Sequence, residues 1–314
     1  MNPFDILRER GLIQQCTGEA EVRAAFDAGP VTFYAGFDPT SDSMHIGHLL
    51  PVMAMAWLQR AGHRPIAVVG GGTAMVGDPS GKTELRQMLS EDDIRANSEA
   101  LQEQLSRFLV LDGEKGLMVN NAEWLMQLQY IPFLREVGRH FSVNRMLAMD
   151  AYKQRLERKS GLSFIEFNYQ LLQAYDFLAL YRTHGCTLQM GGDDQWGNIL
   201  AGTDLIRRME QGEAWGLTFP LITTASGAKM GKTAAGAVWL DANRLAPFDY
   251  FQHWLNVADT DVGRFLRLYT FLPINEVQKL EALQGAGDGA LERVLVPLEG
   301  DRVQADQHVP GLDT

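Results

Sequence analysis

Only two cysteines occur in the 314 residues, Cys16 and Cys186, far apart in the chain. One distant pair builds neither a disulfide framework nor a cysteine-rich metal site, and it suits a reducing compartment. Long apolar runs are also missing. The longest, residues 49–58, contains Pro51 and falls well short of the ~20 residues a membrane-spanning helix needs. Basic charge is outweighed: 28 Lys and Arg stand against 39 Asp and Glu, for a net charge of −11. That argues against coating nucleic acid by bulk charge, though not against a local basic patch. Residues 1–11 mix Asp5, Arg8, Glu9 and Arg10 with few apolar groups, which is neither a secretory signal nor an acid-free transit peptide. What remains, 46% hydrophobic and 21% charged, is a globular composition with chain enough for one large or two ordinary domains. We read a cytosolic protein with no membrane partner.

The patterning places alternating elements along the chain. Residues 31–37 (VTFYAGF), ended by Asp38-Pro39, read as a buried strand entering a loop. Residues 47–61 read as a helix and 64–69 as a second strand, after which glycines at 70–72 and 77–81 frame a loop. Ser90 with Glu91, Asp92 and Asp93 opens a helix, its acids at the positive dipole end. Further on come a strand at 117–119, helix at 131–137, a long helix at 163–181, a strand at 187–190 and a helix at 194–209. This alternation predicts parallel βαβ units in a doubly wound sheet, with ligands beyond the carboxyl ends of the strands. From about Pro247 the pattern turns helical, which predicts a smaller α-helical domain. The resulting division is a catalytic domain at 1–220, a loop and linker at 221–246, and a helical domain at 247–314 with a divergent end.

Five clusters carry candidate chemistry. His45-Ile46-Gly47-His48 stands where a helix begins, so free backbone N–H groups and the positive dipole end offer an anion site. The two histidines, three apart, face one side, and Gly47 lets a flat ring approach the backbone. Residues 77–83 (GDPSGKT) look like a phosphate loop, but the P-loop pattern fails because Val76 stands where its first glycine belongs. Lys82 and Arg86 are still free cations on a glycine-flanked segment. Lys229-Met230-Gly231-Lys232-Thr233 puts two lysines on a loop able to meet a polyphosphate, against the plain alternative of a solvated turn. Within the apolar helix at 163–181, Tyr169, Gln173 and Asp176 recur at i, i+4, i+7 on one face. A polar stripe there costs free energy unless partnered, so it is either a site or a solvent-facing edge. Gly191-Gly192-Asp193-Asp194-Gln195 follows a strand, suiting Asp194 either to a ribose or to a simple N-cap.

Taken together, these words resemble the class I aminoacyl-tRNA synthetases, and among them the bacterial-type tyrosyl enzymes. Residues 45–48 (HIGH) match one family signature, and 229–233 (KMGKT) match its KMSKS-type loop. YAGFDPTSDSMHIGH (34–48), GDPSGK (77–82), FNYQLLQAYDF (167–177) and GGDDQWGN (191–198) fall in the family's order. The resemblance runs from about Val31 to Leu272. It implies a Rossmann-like α/β catalytic domain with a smaller α-helical domain. It also implies a two-step reaction, in which tyrosine and ATP give tyrosyl-adenylate and pyrophosphate, and the tyrosyl group then passes to tRNA(Tyr). Residue roles follow by matched position. Tyr34 and Asp176 hold the phenol, and Asp78, Tyr169 and Gln173 the ammonium. Thr40, His45 and His48 stand on the ATP side, with Gly36, Asp38 and Gly47. Gly192, Asp194 and Gln195 contact the ribose and adenylate, Gln195 also belonging to the tyrosine set. Lys82, Arg86, Lys229 and Lys232 serve the pyrophosphate. Magnesium is expected on the ATP phosphates, with no protein metal site.

The chain also departs from the family. Ala35 stands where some relatives have Cys, and Gly231 and Thr233 differ from the literal KMSKS. Past about Arg293 the resemblance stops, so the family's small C-terminal RNA-binding domain is expected to be absent. A homodimer is expected through Phe133, Leu134, Phe141 and Phe164. The alternatives are a non-catalytic RNA-binding paralogue and the tryptophanyl relative. Tyr34 with Asp176 favours a phenol over an indole, and the retained cations, histidines and aspartates favour an enzyme.

Overall fold

The computed structural model describes residues 1–79, 89–157, 162–223, 232–233 and 236–282. Six strands form one sheet: β1 (Gln15–Cys16), β2 (Thr32–Phe37), β3 (Arg64–Val69), β4 (Leu117–Asn120), β5 (Cys186–Gly192) and β6 (Trp215–Phe219). Their spatial order is β1-β6-β5-β2-β3-β4. Every neighbouring pair from β6 across to β4 is parallel, and β1 joins β6 antiparallel. The parallel part of the sheet starts at β2, winds outward through β3 and β4, then returns beside β2 with β5 and β6. The strand order therefore reverses between β2 and β5, and a crevice opens there at the strands' carboxyl ends. The expected doubly wound parallel sheet is present, with an antiparallel edge that the sequence pattern does not predict.

Both faces of the sheet are covered, so its strands are apolar on both sides. Along β2, Phe33, Ala35 and Phe37 enter one core cluster, while Tyr34 enters the other. Along β3, Ala67 takes the first face and Ile66 and Val68 the second. A bulge opposite Thr32 and Phe33 shifts β5 by one residue. Cys186 therefore lies on the Tyr34 face, while Leu188 and Met190 lie on the other.

Helix Ile46–Arg60 covers the first face with Ile46, Leu49, Leu50, Val52, Met55 and Leu58. Its Pro51 lies inside the helix, where the missing N–H leaves the Gly47 carbonyl without its usual partner. Helices Phe164–His184 and Trp196–Glu210 cover the second face. The former opens on a reciprocal Ser163–Glu166 capping box and closes on Gly185 at φ 61. It continues past the expected end at 181 because Arg182 and His184 suit a last turn and glycine comes only at 185.

The C-terminal pattern resolves into helices Pro247–Leu255, Asp259–Tyr269 and Ile274–Glu281. Trp254, Phe265 and Leu268 share a core cluster with Phe4, Leu7 and Leu58. Phe4 and Leu7 come from helix Pro3–Glu9, which the sequence reading leaves unassigned. Arg10 fastens these pieces: its buried guanidinium donates to the carbonyls of Arg267 and Thr270 at 3.0 Å each, and to that of Leu272. The same guanidinium lies 3.9 Å from the Trp57 ring centre. No described helix is long and apolar enough to cross a membrane.

Candidate active site

The crevice between β2 and β5 collects most of the residues singled out above. The stripe on helix Phe164–His184 is not a solvent edge: Tyr169 and Asp176 are buried, and Gln173 is half-buried. Seven residues of helix separate Tyr169 from Asp176, a rise of about 10 Å, so the stripe is long enough to line one amino-acid-sized ligand. Tyr34 enters the same layer from β2, its ring 5.3 Å from Phe177. The Tyr34 hydroxyl and Gln173 Oε1 are both buried without a hydrogen-bond partner among the described residues. Unpaired polar atoms in an apolar layer are costly, and two of them beside one stripe are what a ligand with matching groups would satisfy.

Asp176 is held in place before any ligand arrives. Asn121 Nδ2 donates to Asp176 Oδ2 at 2.9 Å, and the Trp124 indole N–H donates to Oδ1 at 2.7 Å. Burial pushes the Asp176 carboxyl up to about 7, opposed by the Asn121 and Trp124 donors and reinforced by the charge of Asp38. Burial likewise drives the Tyr34 and Tyr169 phenols up, beside Asp176 and Asp38 respectively, so both are neutral hydroxyls at neutral pH.

A chain of hydrogen bonds leads outward from Asp176. Asn121 Nδ2 also donates to Thr73 Oγ1 at 3.1 Å, and its Oδ1 accepts from the Gly72 N–H at 2.8 Å. Thr73 Oγ1 donates to Asp38 Oδ1 at 2.8 Å, and Tyr169 donates to Asp38 Oδ2 at 2.9 Å. Asp38, read from the sequence on the ATP side, thus bridges Thr73 to the stripe. Asp78 is buried and accepts from Gln195 Nε2 at 2.8 Å, and Gln195 accepts in turn from Asn198 at 3.0 Å. Asp78 and Gln195 therefore meet although 117 residues apart. Thr40 is exposed in the turn after β2, and its N–H donates to the Asp38 carbonyl.

At the start of helix Ile46–Arg60 the two histidines make their own capping box. His45 Nδ1 accepts from the Gly47 N–H at 3.1 Å, and His48 Nδ1 accepts from the His45 N–H at 3.1 Å. The rings stack with centres 4.0 Å apart. The Ile46 N–H donates to the Val238 carbonyl at 2.9 Å. The expectation of free backbone donors at this terminus is therefore corrected, since protein groups already occupy them. Each neutral ring that accepts at Nδ1 carries its proton on Nε2, a tautomer inferred from this network. Burial, with His45 alongside, lowers His48 to about 3, so it stays neutral through the physiological range. Gly47 is required here: a Cβ would stand 2.9 Å from His45 Cε1. The flat ring that approaches its backbone is His45's own.

The end of β5 supplies the other wall. A Cβ on Gly192 would meet Asp194 Oδ1 at 2.7 Å. No side-chain cap forms at the turn Asp193–Gln195 or at helix Trp196–Glu210, so Asp194 is not the simple N-cap weighed above. Asp193 turns to structural work, accepting from Gln15 at 2.7 Å and Thr218 at 2.8 Å. Gly36, in β2, has open space where a Cβ would lie. Lys82, Arg86 and Lys229 lie outside the described residues. Lys232 belongs to β7 (Lys232–Thr233), which pairs antiparallel with β8 (Gly236–Ala237).

Sequence reading misses Asn121, Trp124, Thr73 and Asn198. Asn121 follows directly on β4, and a polar group just past a parallel strand is a usable signal. Nothing local marks Trp124, which reaches Asp176 only through the tertiary fold.

Comparison with known proteins agrees with this geometry. A family model described as tRNA synthetases class I (W and Y) matches residues 27–307, further than the motifs alone carry the resemblance. A curated tyrosine–tRNA ligase from Desulfosudis oleivorans is 60% identical over 94% of this chain and 68% of its own length. A second, from Clostridium botulinum, is 54% identical over 94% of this chain and 72% of its own length. The chain thus spans about two thirds of the length of such relatives. Among solved structures, a C-terminally truncated mitochondrial tyrosyl-tRNA synthetase from Aspergillus nidulans superposes with a TM-score of 0.80 at 31% identity, covering 91% of this chain and 84% of that one. With 281 matched residues counted from 27 to 307 and identities of this size, the chain belongs to the class I tRNA synthetases (W and Y), in their bacterial tyrosyl group.

Proposed function

We propose that this chain is a tyrosine–tRNA ligase, activating L-tyrosine with ATP and passing the tyrosyl group to tRNA(Tyr). One observation carries the choice of amino acid: Asp176, with both oxygens held by Asn121 and Trp124, faces a layer in which the Tyr34 hydroxyl is buried and unpartnered. A phenol donates to the Asp176 carboxylate and pairs with the Tyr34 hydroxyl. An indole places its single N–H differently and offers no acceptor. At the other end of the stripe, Gln173 Oε1, the Tyr169 oxygen and the Asp78 carboxylate suit an ammonium, which only donates.

The first step needs no enzyme nucleophile. The tyrosine carboxylate attacks the α-phosphorus of ATP, a P–O bond forms, and the bond to the pyrophosphate oxygen breaks. Catalysis is then positioning and stabilisation of charge on the phosphates. The His45 and His48 N–H donors, Thr40, and the cations Lys82, Arg86, Lys229 and Lys232 fill that role. Gly36 and Gly192 give the nucleotide close access to the backbone, Gly47 makes room for the His45 ring, and Asp194 and Gln195 serve the ribose and adenylate. Magnesium enters on the ATP phosphates. In the second step the ribose hydroxyl at the tRNA terminus attacks the tyrosyl carbonyl, and AMP leaves.

Two chains act together in this reading. Tyr130, Ile131, Val143, Phe164 and Ile165 are exposed at 60%, 69%, 57%, 70% and 43%, and so large an apolar set suits a second copy. Of the four residues expected at this interface, Phe164 is exposed, Leu134 is half-buried, and Phe133 and Phe141 pack half-buried against Met146, Tyr152 and Leu171. We place the protein in the cytosol, with its tRNA and ATP. The test is tyrosine-dependent exchange of pyrophosphate into ATP. Asp176→Asn should lose most of it while binding ATP normally; wild-type exchange in that variant would overturn the assignment of the phenol acceptor.

A further inference from the structure

The segment that follows the signature lysines is bound to the signature histidines. The Ile46 N–H donates to the Val238 carbonyl at 2.9 Å, and the Leu240 N–H donates to the Met44 carbonyl at 2.9 Å. Between these bonds His45 and Trp239 form an antiparallel bridge. Their rings lie 6.1 Å apart at 57°. Val238 is buried in the main core cluster, so this short pairing is anchored.

The Trp239 ring is itself braced. The Arg244 guanidinium lies 5.0 Å from its centre, within cation–π range. Arg244 also forms an ion pair with Asp42, and that contact holds the Asp42 carboxyl below its usual range. Arg244 is carried by a turn in which its N–H and that of Leu245 both donate to the Asp241 carbonyl at 3.0 Å. Asp42 in turn lies three residues before His45. A ring of contacts therefore closes on itself: Asp42, Arg244, Trp239 and His45, then back along the backbone to Asp42.

We infer that Trp239, steadied by Arg244, is a positioning residue for His45. The His45 ring is bounded by the Gly47 N–H, by the face of His48 and by Trp239. The first two fix one edge and one face, and Trp239 stands as a further wall beside the ring. A donor aimed at a transition state works only if its direction is set beforehand, and a shift of about 1 Å can cost on the order of 100-fold in rate. Arg244 with Asp42 makes this bracing partly electrostatic, although both groups are largely exposed and the ion pair alone contributes little. The inference rests on the proposed role of His45 in adenylation.

The experiment is a double-mutant cycle read by tyrosine-dependent pyrophosphate exchange. Trp239→Ala should lower kcat by about 10- to 100-fold with the tyrosine KM within about 2-fold of wild type. Trp239→Phe, which keeps a ring, should recover most of that loss. In a His45→Ala background, Trp239→Ala should have no further effect on kcat, because nothing remains to be positioned. Losses that simply multiply in the double variant would overturn the inference while leaving the role of His45 intact. A Trp239→Ala variant whose tyrosine affinity falls in step with kcat would overturn it as well, by showing a role in folding. His45→Ala with wild-type exchange would instead remove the premise about His45, and the inference with it.

Discussion

Trp124 donates its indole N–H to Asp176 across 2.7 Å, from a short helix after β4 to the middle of the long helix that packs over the sheet. The carboxylate is oriented by that bond before any substrate is present. Asn121 holds the other oxygen and relays the contact through Thr73 to Asp38. The pocket is therefore a connected network around a central acid whose protonation is set first by burial and then by Asn121, Trp124 and Asp38.

The first prediction concerns pH. Asp176 titrates at about 7 in the folded protein, above its ordinary value of 3.8. The folded state thus binds this proton more tightly than the unfolded chain does. The stability this group contributes is present below about pH 4 and is lost as pH rises through about 7. Phenol capture runs the other way, because the ionised acceptor accumulates only above about 7. Tyrosine KM should fall as pH rises from 6 to 8, with ATP KM flat; His48, at about 3, does not titrate in this window. Asn121→Ala removes a charge-assisted bond of about 1.5–3 kcal/mol, moving the limb up by roughly one to two pH units. A limb unmoved in Asn121→Ala would show that Asp176 does not set it.

Gly47→Ala separates stability from activity. Alanine inside a helix is favoured over glycine by about 1 kcal/mol, but its Cβ would press on the His45 ring at 2.9 Å. Thermal stability should be kept within a few degrees while pyrophosphate exchange falls by about 10-fold or more. Full exchange would mean that the position of the His45 ring does not matter.

Arg10→Leu should behave in the opposite way. The guanidinium is buried, donates to three backbone carbonyls in the last turn of helix Asp259–Tyr269 and just past it, and stacks on Trp57. Burial lowers its pKa to about 10, which leaves it charged at neutral pH. Losing it strands those carbonyls and should cost about 2–4 kcal/mol in urea unfolding. A loss under about 1 kcal/mol would mean that water takes over the same contacts.

Much of this was legible in the residues themselves. The strand at 64–69 is read to the residue because five of its six positions are buried and apolar. The stripe at Tyr169, Gln173 and Asp176 stands out because polar groups at helical spacing interrupt an otherwise apolar segment. β6 is not legible: the sequence reading leaves it unassigned, and its Gly216 is glycine because Ile199 would lie 2.2 Å from a Cβ there. β1 has two residues and no pattern to read. Helix Pro3–Glu9 is too charged and short to show a period. Asn121 and Trp124 act on Asp176 across more than fifty residues, a relation only the fold creates. The histidine capping box escapes a sequence reading for a simpler reason, since histidine is not a usual N-cap residue.

The central claim is that the pocket recognises a phenol. The direct measurement is the pyrophosphate-exchange kcat/KM of the wild-type chain with tyrosine, phenylalanine and tryptophan. Phenylalanine would leave Tyr34 and Asp176 unpaired and desolvated, and a site of this kind rejects such an analogue by roughly 10⁴–10⁵; the type case for that magnitude is itself a tyrosyl enzyme, so it is borrowed for this chain. Tyr34→Phe should erode the preference only about 2- to 12-fold, the effect of one neutral hydrogen bond of 0.5–1.5 kcal/mol. The account predicts exchange with tyrosine and almost none with the other two. Equal or faster exchange with tryptophan, or discrimination against phenylalanine below about 10-fold, would contradict it.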